Sequence, residues 1–199
     1  MKTAAVKSVA LDLHIAIAIK NEAAWRQAVT SVRPTVKKAV WAALDSQLHL
    51  PPGPVQLSIL LTNDAEVRRL NKLWRGQDKP TNVLSFPADQ FRSGKREKNR
   101  KSRPQQGPIL LGDVVIARQT ILREARSEKK TPRAHMTHLV VHGVLHLLGY
   151  DHEQLKAAAI MEKLERQVLA SLKIADPYAL PIPRSRAPRP SVPRKRKAA

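Results

Sequence analysis

The sequence predicts one domain built of both strands and helices, carrying basic appendages, and three observations predict it. A chain of 199 residues, 42% apolar and 26% charged, can bury the core of one ordinary domain but not comfortably of two. Its apolar residues follow two periods, alternation in some segments and helical spacing in others. Two polar, basic stretches have almost nothing to bury and stand apart from that pattern.

The alternating residues Val9, Leu11, Leu13, Ile15, Ile17 and Ile19 describe a first strand with one buried face. Lys7, Asp12 and His14 interrupt any export-signal core, and no run approaches the roughly 18 apolar residues of a membrane span. The expectation is a cytoplasmic protein without a membrane partner. From Trp25 to Leu44, Ala, Val and Trp recur at helical spacings, and Pro34 is expected to break the helix in two. Residues 55–62, VQLSILLT, predict a strand. Asn63 then caps a helix, Glu66 completes a capping box, Val67, Leu70, Leu73 and Trp74 share a side, and Gly76 ends it.

Residues 81–87, TNVLSFP, predict a short strand closed by Pro87, and ILLGDVVIA at 109–117 a buried one. The charged stretch between them is expected to be a mobile loop, most basic over about 92–106. Ile121, Leu122 and Ala125 mark the next helix. Thr131 and Pro132 then start a helix running to Leu148, with a hydroxyl cap and a proline in the first turn. Gly149 supplies a left-handed stop. Leu155, Ala159, Met161, Leu164, Val168 and Leu172 form the apolar side of a last helix. The domain is expected to span 1–175. Residues 176–199, with six prolines and seven basic residues, predict a disordered tail. No internal repeat is visible.

The formal net charge is +20, an excess that predicts a polyanionic partner. Residues 92–103 carry seven basic residues and one acid, and the tail seven and none after Asp176. The chain has no cysteine, so a metal site must use imidazole, carboxylate or water.

Residues 138–152, HLVVHGVLHLLGYDH, hold four of the seven histidines. Positions four apart share a helix face, so His142 and His146 can aim at one point. A turn at Gly149 can bring His152 to the same point. Three imidazoles leave a coordination position open, as in catalytic rather than structural zinc sites. Lone helical histidines are ordinarily surface or satisfied core residues, but the full H-x3-H-x2-G-x2-H pattern is far rarer by chance. It has the spacing of the metzincin peptidases, except that Gly143 stands where their general-base glutamate would be. A mid-helix glycine costs about 1 kcal/mol against alanine, so Gly143 serves either close packing on the sheet or access for a bulky substrate. His138, one turn earlier, can orient a ligand, line the cleft or simply sit partly exposed. Asp151 and Glu153 can accept from ligand N–H groups or belong to a solvated turn. His135 is weaker still, and His14 and His49 have no assigned role.

HGVLHLLGYDH, with WRGQDKPTNVLSFP at 74–87 and LGDVVIA at 111–117, resembles the YbeY family of bacterial metal-dependent endoribonucleases over roughly residues 55–172. The resemblance implies a single α+β domain, with a small mixed sheet packed against helices and a zincin-like metal-binding helix. It implies one zinc ion per chain on His142, His146 and His152. It further implies cleavage of single-stranded RNA in 16S rRNA 3′-end maturation and ribosome quality control. Expected partners are ribosomal RNA and the small ribosomal subunit, with room for a ribosome-assembly GTPase or ribosomal proteins.

The family's functional arginine falls on Arg75, whose fork can hold phosphate oxygens; otherwise it would be an ordinary cation at a helix C-terminus. Asp113 and Ser85 are further candidates for the cleft. The expected reaction is phosphodiester hydrolysis, the zinc activating water and polarising a phosphoryl oxygen while Arg75 binds the phosphate. The attacking group is left open between the metal hydroxide and the substrate's 2′-hydroxyl. The alternatives are a peptidase or amidase on the same zinc, disfavoured by Gly143 and the charge, and a non-catalytic RNA-binding assembly factor with structural zinc.

Overall fold

The computed structural model describes residues 12–46, 53–88 and 107–179. Val9, Leu11, the 92–106 loop and the tail beyond Ala179 lie outside the described residues.

Four strands form one mixed sheet in the order β1-β2-β4-β3: β1 Leu13–Ile19, β2 Val55–Thr62, β3 Val83–Pro87 and β4 Ile109–Ala117. β2 runs parallel to both β1 and β4, while β3 pairs antiparallel with β4 at the far edge. Parallel neighbours need crossover connections. Helices α1 (Glu22–Ala28) and α2 (Val32–Asp45) supply one, and α3 (Asp64–Arg75) with β3 the other. Then follow α4 (Arg118–Ser127), α5 (Pro132–Leu147) and α6 (Leu155–Ser171). The domain is therefore α+β, as expected.

Alternation along β2 puts Val55, Leu57, Ile59 and Leu61 in the main core. There they meet Val36 and Val40 of α2, Val140, Val141 and Val144 of α5, and Met161 and Val168 of α6. β4 changes phase along its length: Ile109 and Leu111 join this core, and so do Val114 and Ile116. The register slips opposite Gln56 and Leu57, and such a bulge turns the following side chains to the other face. Gly112 sits at the slip with φ 124°, and a Cβ there would lie 2.1 Å from the Phe86 carbonyl oxygen, so only glycine fits. α3 packs on the opposite sheet face, where Val67 meets Leu84, Val115 and Ala117.

Several sequence expectations shift by small, explicable amounts. The break in the first helical region falls at Val29–Ser31, with Ser31 left-handed at φ 54°. Pro34 sits inside the first turn of α2, where its missing N–H costs nothing. Asn63 caps α3 by accepting from Glu66 N at 2.9 Å. Glu66 does not complete the box; its carboxylate pairs with Arg69 and Lys20. Leu73 and Trp74, expected on the packed side of α3, are 65% and 62% exposed, because α3 meets the sheet mainly through Val67 while Asn71 is buried beside it. Leu155 and Ala159, expected on the apolar side of α6, are exposed. Past the expected boundary at residue 175, Tyr178 and Pro177 still contact the domain.

Candidate metal centre

α5 is held by its cap, Thr131 Oγ1 accepting from Ala134 N at 3.1 Å, and it lies unusually close to the sheet. A Cβ on Gly143 would come within 2.7 Å of Val114 Cγ1 and 3.3 Å of Ser85 Oγ. The glycine therefore serves close packing against β4 and β3. This fixes the depth at which the neighbouring His142 stands.

His142 and His146 set their rings edge-on at 82°, centroids 4.6 Å apart, with the two Nε2 atoms 3.0 Å apart. The helix ends at Leu147, and Gly149, left-handed at φ 87°, lets the chain turn back without a Cβ clash. That turn carries His152 to ring-centroid distances of 5.4 Å from His142 and 5.1 Å from His146. The three histidines' ligand atoms all lie within 4.8 Å of one another, so they can hold a metal ion.

Neighbouring acceptors settle the tautomers. The Tyr150 carbonyl can only accept, so His146 Nδ1 donates to it at 2.9 Å. His142 Nδ1 donates to Glu165 Oε1 at 2.6 Å. In the neutral rings both Nε2 lone pairs then face each other with no proton between them, an arrangement a shared cation relieves. Burial, reinforced by the neighbouring His142 and His152, lowers the His146 pKa to about 4, which keeps that ring neutral and available for coordination near pH 7.

Glu165 is fully buried on α6. Its Oε2 accepts from His138 Nε2 at 3.1 Å and from the Tyr178 hydroxyl. Burial opposes its charge, but the hydrogen bonds from His138, His142 and Tyr178 outweigh it and hold the carboxyl below its usual range. Burial and then this carboxylate push the Tyr178 hydroxyl well above its ordinary value, so it remains a donor. Sequence reasoning passed over both residues. The available signal was a carboxylate inside the apolar stripe of α6, between Met161, Leu164 and Val168.

The other candidates separate into three groups. His138 shares the Glu165 carboxylate with His142, their rings set edge-on with centroids 6.2 Å apart, and these three residues form a second group whose ligand atoms lie within 4.8 Å of one another. Asp151 is exposed and accepts from Glu153 N at 3.2 Å: it shapes the turn that carries His152, since its short side chain meets the backbone two residues on. Arg75, Ser85 and Asp113 line a cleft of about 1100 Å³ that also includes Ser58, Trp74 and Phe86. Asp113 accepts there from Ser58 Oγ across the β2–β4 pair. None of the three histidines is in that lining, but Ser85 connects the two places, its hydroxyl donating to the Gly143 carbonyl at 3.3 Å. Arg75, the last residue of α3, also borders a smaller cavity of about 420 Å³ with Lys79, Arg123 and Glu124.

Fold and site together define an α+β protein in which one helix and the turn that follows it bring together three histidines able to hold a metal ion. The chain belongs to the family described as Endoribonuclease YbeY, whose model matches residues 18–173. It is 51% identical over 143 residues to the endoribonuclease YbeY of Azorhizobium caulinodans, covering 72% of this chain and 83% of that one. The Rhodospirillum rubrum protein of the same name is 47% identical over 175 residues, 84% of each chain. A solution structure from Thermotoga maritima, 21% identical, matches 84% of this chain and all of that one with a TM-score of 0.47.

Proposed function

We propose that the protein is a zinc-dependent, single-strand-specific endoribonuclease that acts in 16S rRNA 3′-end maturation and ribosome quality control. The observation carrying the metal reading is the pair of facing Nε2 atoms 3.0 Å apart, each on a ring whose Nδ1 is already committed. Tetrahedral zinc, with Zn–N distances of about 2.0–2.1 Å, separates two ligand nitrogens by about 3.3 Å. The donor set suits it: three imidazoles and no thiolate. The relatives' shared name supplies the reaction class.

His142, His146 and His152 hold the ion, one per chain. When bound, zinc supplies a Lewis acid that lowers the pKa of water and stabilises charge on a phosphoryl oxygen. Glu165 and the Tyr150 carbonyl hold the first two rings in the coordinating tautomer. Arg75 binds phosphate from the adjoining cleft, where Trp74 is 62% exposed and offers a face to an unstacked base. A peptidase or amidase reading is disfavoured at Gly143: besides lacking the carboxylate, that position has no room for a side chain. A non-catalytic assembly factor would need a fourth protein ligand to close the site; among the described residues, the group at this point contains three.

The partners are ribosomal RNA and the small ribosomal subunit, with a ribosome-assembly GTPase or ribosomal proteins as further candidates, and the compartment is the cytoplasm. No helix among the described residues is long and apolar enough to cross a membrane. The basic residues of 92–106 and of the tail act as a sequence-independent tether to RNA, through counterion release.

Metal analysis and cleavage of labelled single-stranded RNA by the wild type and His146→Ala test this reading. The wild type is expected to hold stoichiometric zinc and cut; His146→Ala is expected to lose both. Stoichiometric metal and undiminished cleavage in the variant would overturn it.

A further inference from the structure

The chain does not leave the domain after α6. It turns at Lys173, Ile174 N donating to Leu169 O at 2.9 Å, and runs back beside the histidine helix. Two of its contacts reach the domain, Lys130 Nζ donating to the Pro177 carbonyl at 3.1 Å and Arg166 Nε lying 3.5 Å from Asp176, while Tyr178 N donates to Asp176 Oδ1 at 2.9 Å within the turn itself. The Tyr178 ring is set edge-on to His138, centroids 5.9 Å apart, with the Arg166 guanidinium 5.0 Å from its centroid. Its hydroxyl ends on Glu165 Oε2.

We propose that Tyr178 is a positioning residue of the metal centre: its hydroxyl fixes the Glu165 carboxylate that orients His142, so segment 176–178 sets how tightly the three histidines hold a metal. The proposal rests on the reading that these histidines bind metal.

A carboxylate with no exposed surface has no water to bond, so donors on both oxygens are what hold its orientation. Oε1 has His142, and Oε2 has His138 and Tyr178. His138 cannot replace the phenol, because its Nε2 already serves the same oxygen and its Nδ1 is buried with no hydrogen-bond partner among the described residues. Without the hydroxyl, Oε2 keeps a single donor, His138 Nε2, and the carboxylate is free to rotate. Once rotated it accepts more weakly from His142 Nδ1, and the opposite nitrogen becomes a poorer and less firmly aimed ligand.

Cobalt(II) is a suitable probe, because its d–d absorption reports ligand geometry independently of activity. Full-length wild type, Tyr178→Phe and Lys130→Ala are titrated with cobalt in competition with a chelator. Tyr178→Phe keeps the ring on His138 and removes only the hydroxyl. Thr131→Ala serves as a control that loosens α5 at its cap without touching Glu165.

Wild type is expected to take up one cobalt per chain. Tyr178→Phe should bind about tenfold more weakly with a shifted absorption band, Lys130→Ala should bind more weakly by a smaller factor, and Thr131→Ala should bind like wild type. Wild-type affinity and spectrum in Tyr178→Phe would overturn the proposal, as would an equal loss in Thr131→Ala. Should Tyr178→Phe fail to fold, unchanged affinity in Lys130→Ala overturns it. No uptake by wild type would instead remove the metal-site reading itself.

Discussion

Glu165 Oε1 lies 2.6 Å from His142 Nδ1, a contact between the buried face of α6 and the helix that carries the histidines. It ties the aim of one imidazole to the packing of a different helix. A candidate metal site drawn from α5 and its following turn is therefore backed by a residue well downstream of its last histidine.

Glu165→Gln should weaken metal binding by about 10–100-fold, the range typical of partners that hydrogen-bond to a ligand. The amide keeps the volume but loses the charge and one acceptor oxygen. Chelator competition measures the change; an affinity within twofold of wild type would show that His142 needs no carboxylate behind it.

Arg75→Ala should retain the metal and the melting temperature while losing most RNA cleavage. Arg75→Lys should recover only part of it, because a point charge does not reproduce the guanidinium fork. Single-turnover cleavage beside metal analysis checks both. Unchanged cleavage would move phosphate binding elsewhere, with Lys79 and Arg123 of the neighbouring cavity the next residues to change.

Gly143→Ala should destabilise the protein although alanine is the better helix former. The propensity gain is about 1 kcal/mol, against an overpacking cost of about 1–3 kcal/mol, and the new Cβ meets the stiff, fully buried Val114 at 2.7 Å. A net loss of about 1 kcal/mol in urea unfolding is expected. Adding Val114→Ala should make the Gly143→Ala step less costly.

Acid should act through Glu124. Burial raises its pKa, but hydrogen bonds from His135 and Asn82 outweigh this and leave it below 4.5. A carboxyl whose folded pKa is depressed stabilises the fold above its unfolded value, and that contribution is lost as pH falls through the folded value. Near pH 7 Glu124 should contribute no slope; as pH falls toward and below about 4.5 stability should fall, and Glu124→Gln should flatten that fall. Melting curves of metal-free protein across this range measure it.

Much of the fold was legible because its signals are local. β4 is bounded by the apolar run at 109–117, α5 begins at its Thr-Pro start, and Asn63 caps α3. The three histidines meet because helical spacing and a glycine turn leave few other arrangements. Other features depend on what lies opposite in space. Whether Gly143 made room for a substrate or for the sheet is decided by Val114 of β4. Trp74 shows the apolar character of a core residue, but among the described residues Phe86 meets it only edge-on and leaves it 62% exposed. Glu165 and Tyr178 were missed because a carboxylate at helical spacing and a tyrosine in a proline-rich stretch are ordinary until the fold places them together.

The return of Tyr178 to Glu165 also has a meaning in the order of synthesis. Sheet and site come from successive parts of the chain: all four strands are complete by Ala117, while histidines, carboxylate and phenol follow between residues 138 and 178. During translation, segments nearer the N-terminus can fold first, so α5 arrives at a surface already able to receive Gly143. A growing chain that has reached His152 possesses all three imidazoles of the group, but neither the Glu165 carboxylate behind His142 nor the Tyr178 phenol that completes its set of donors.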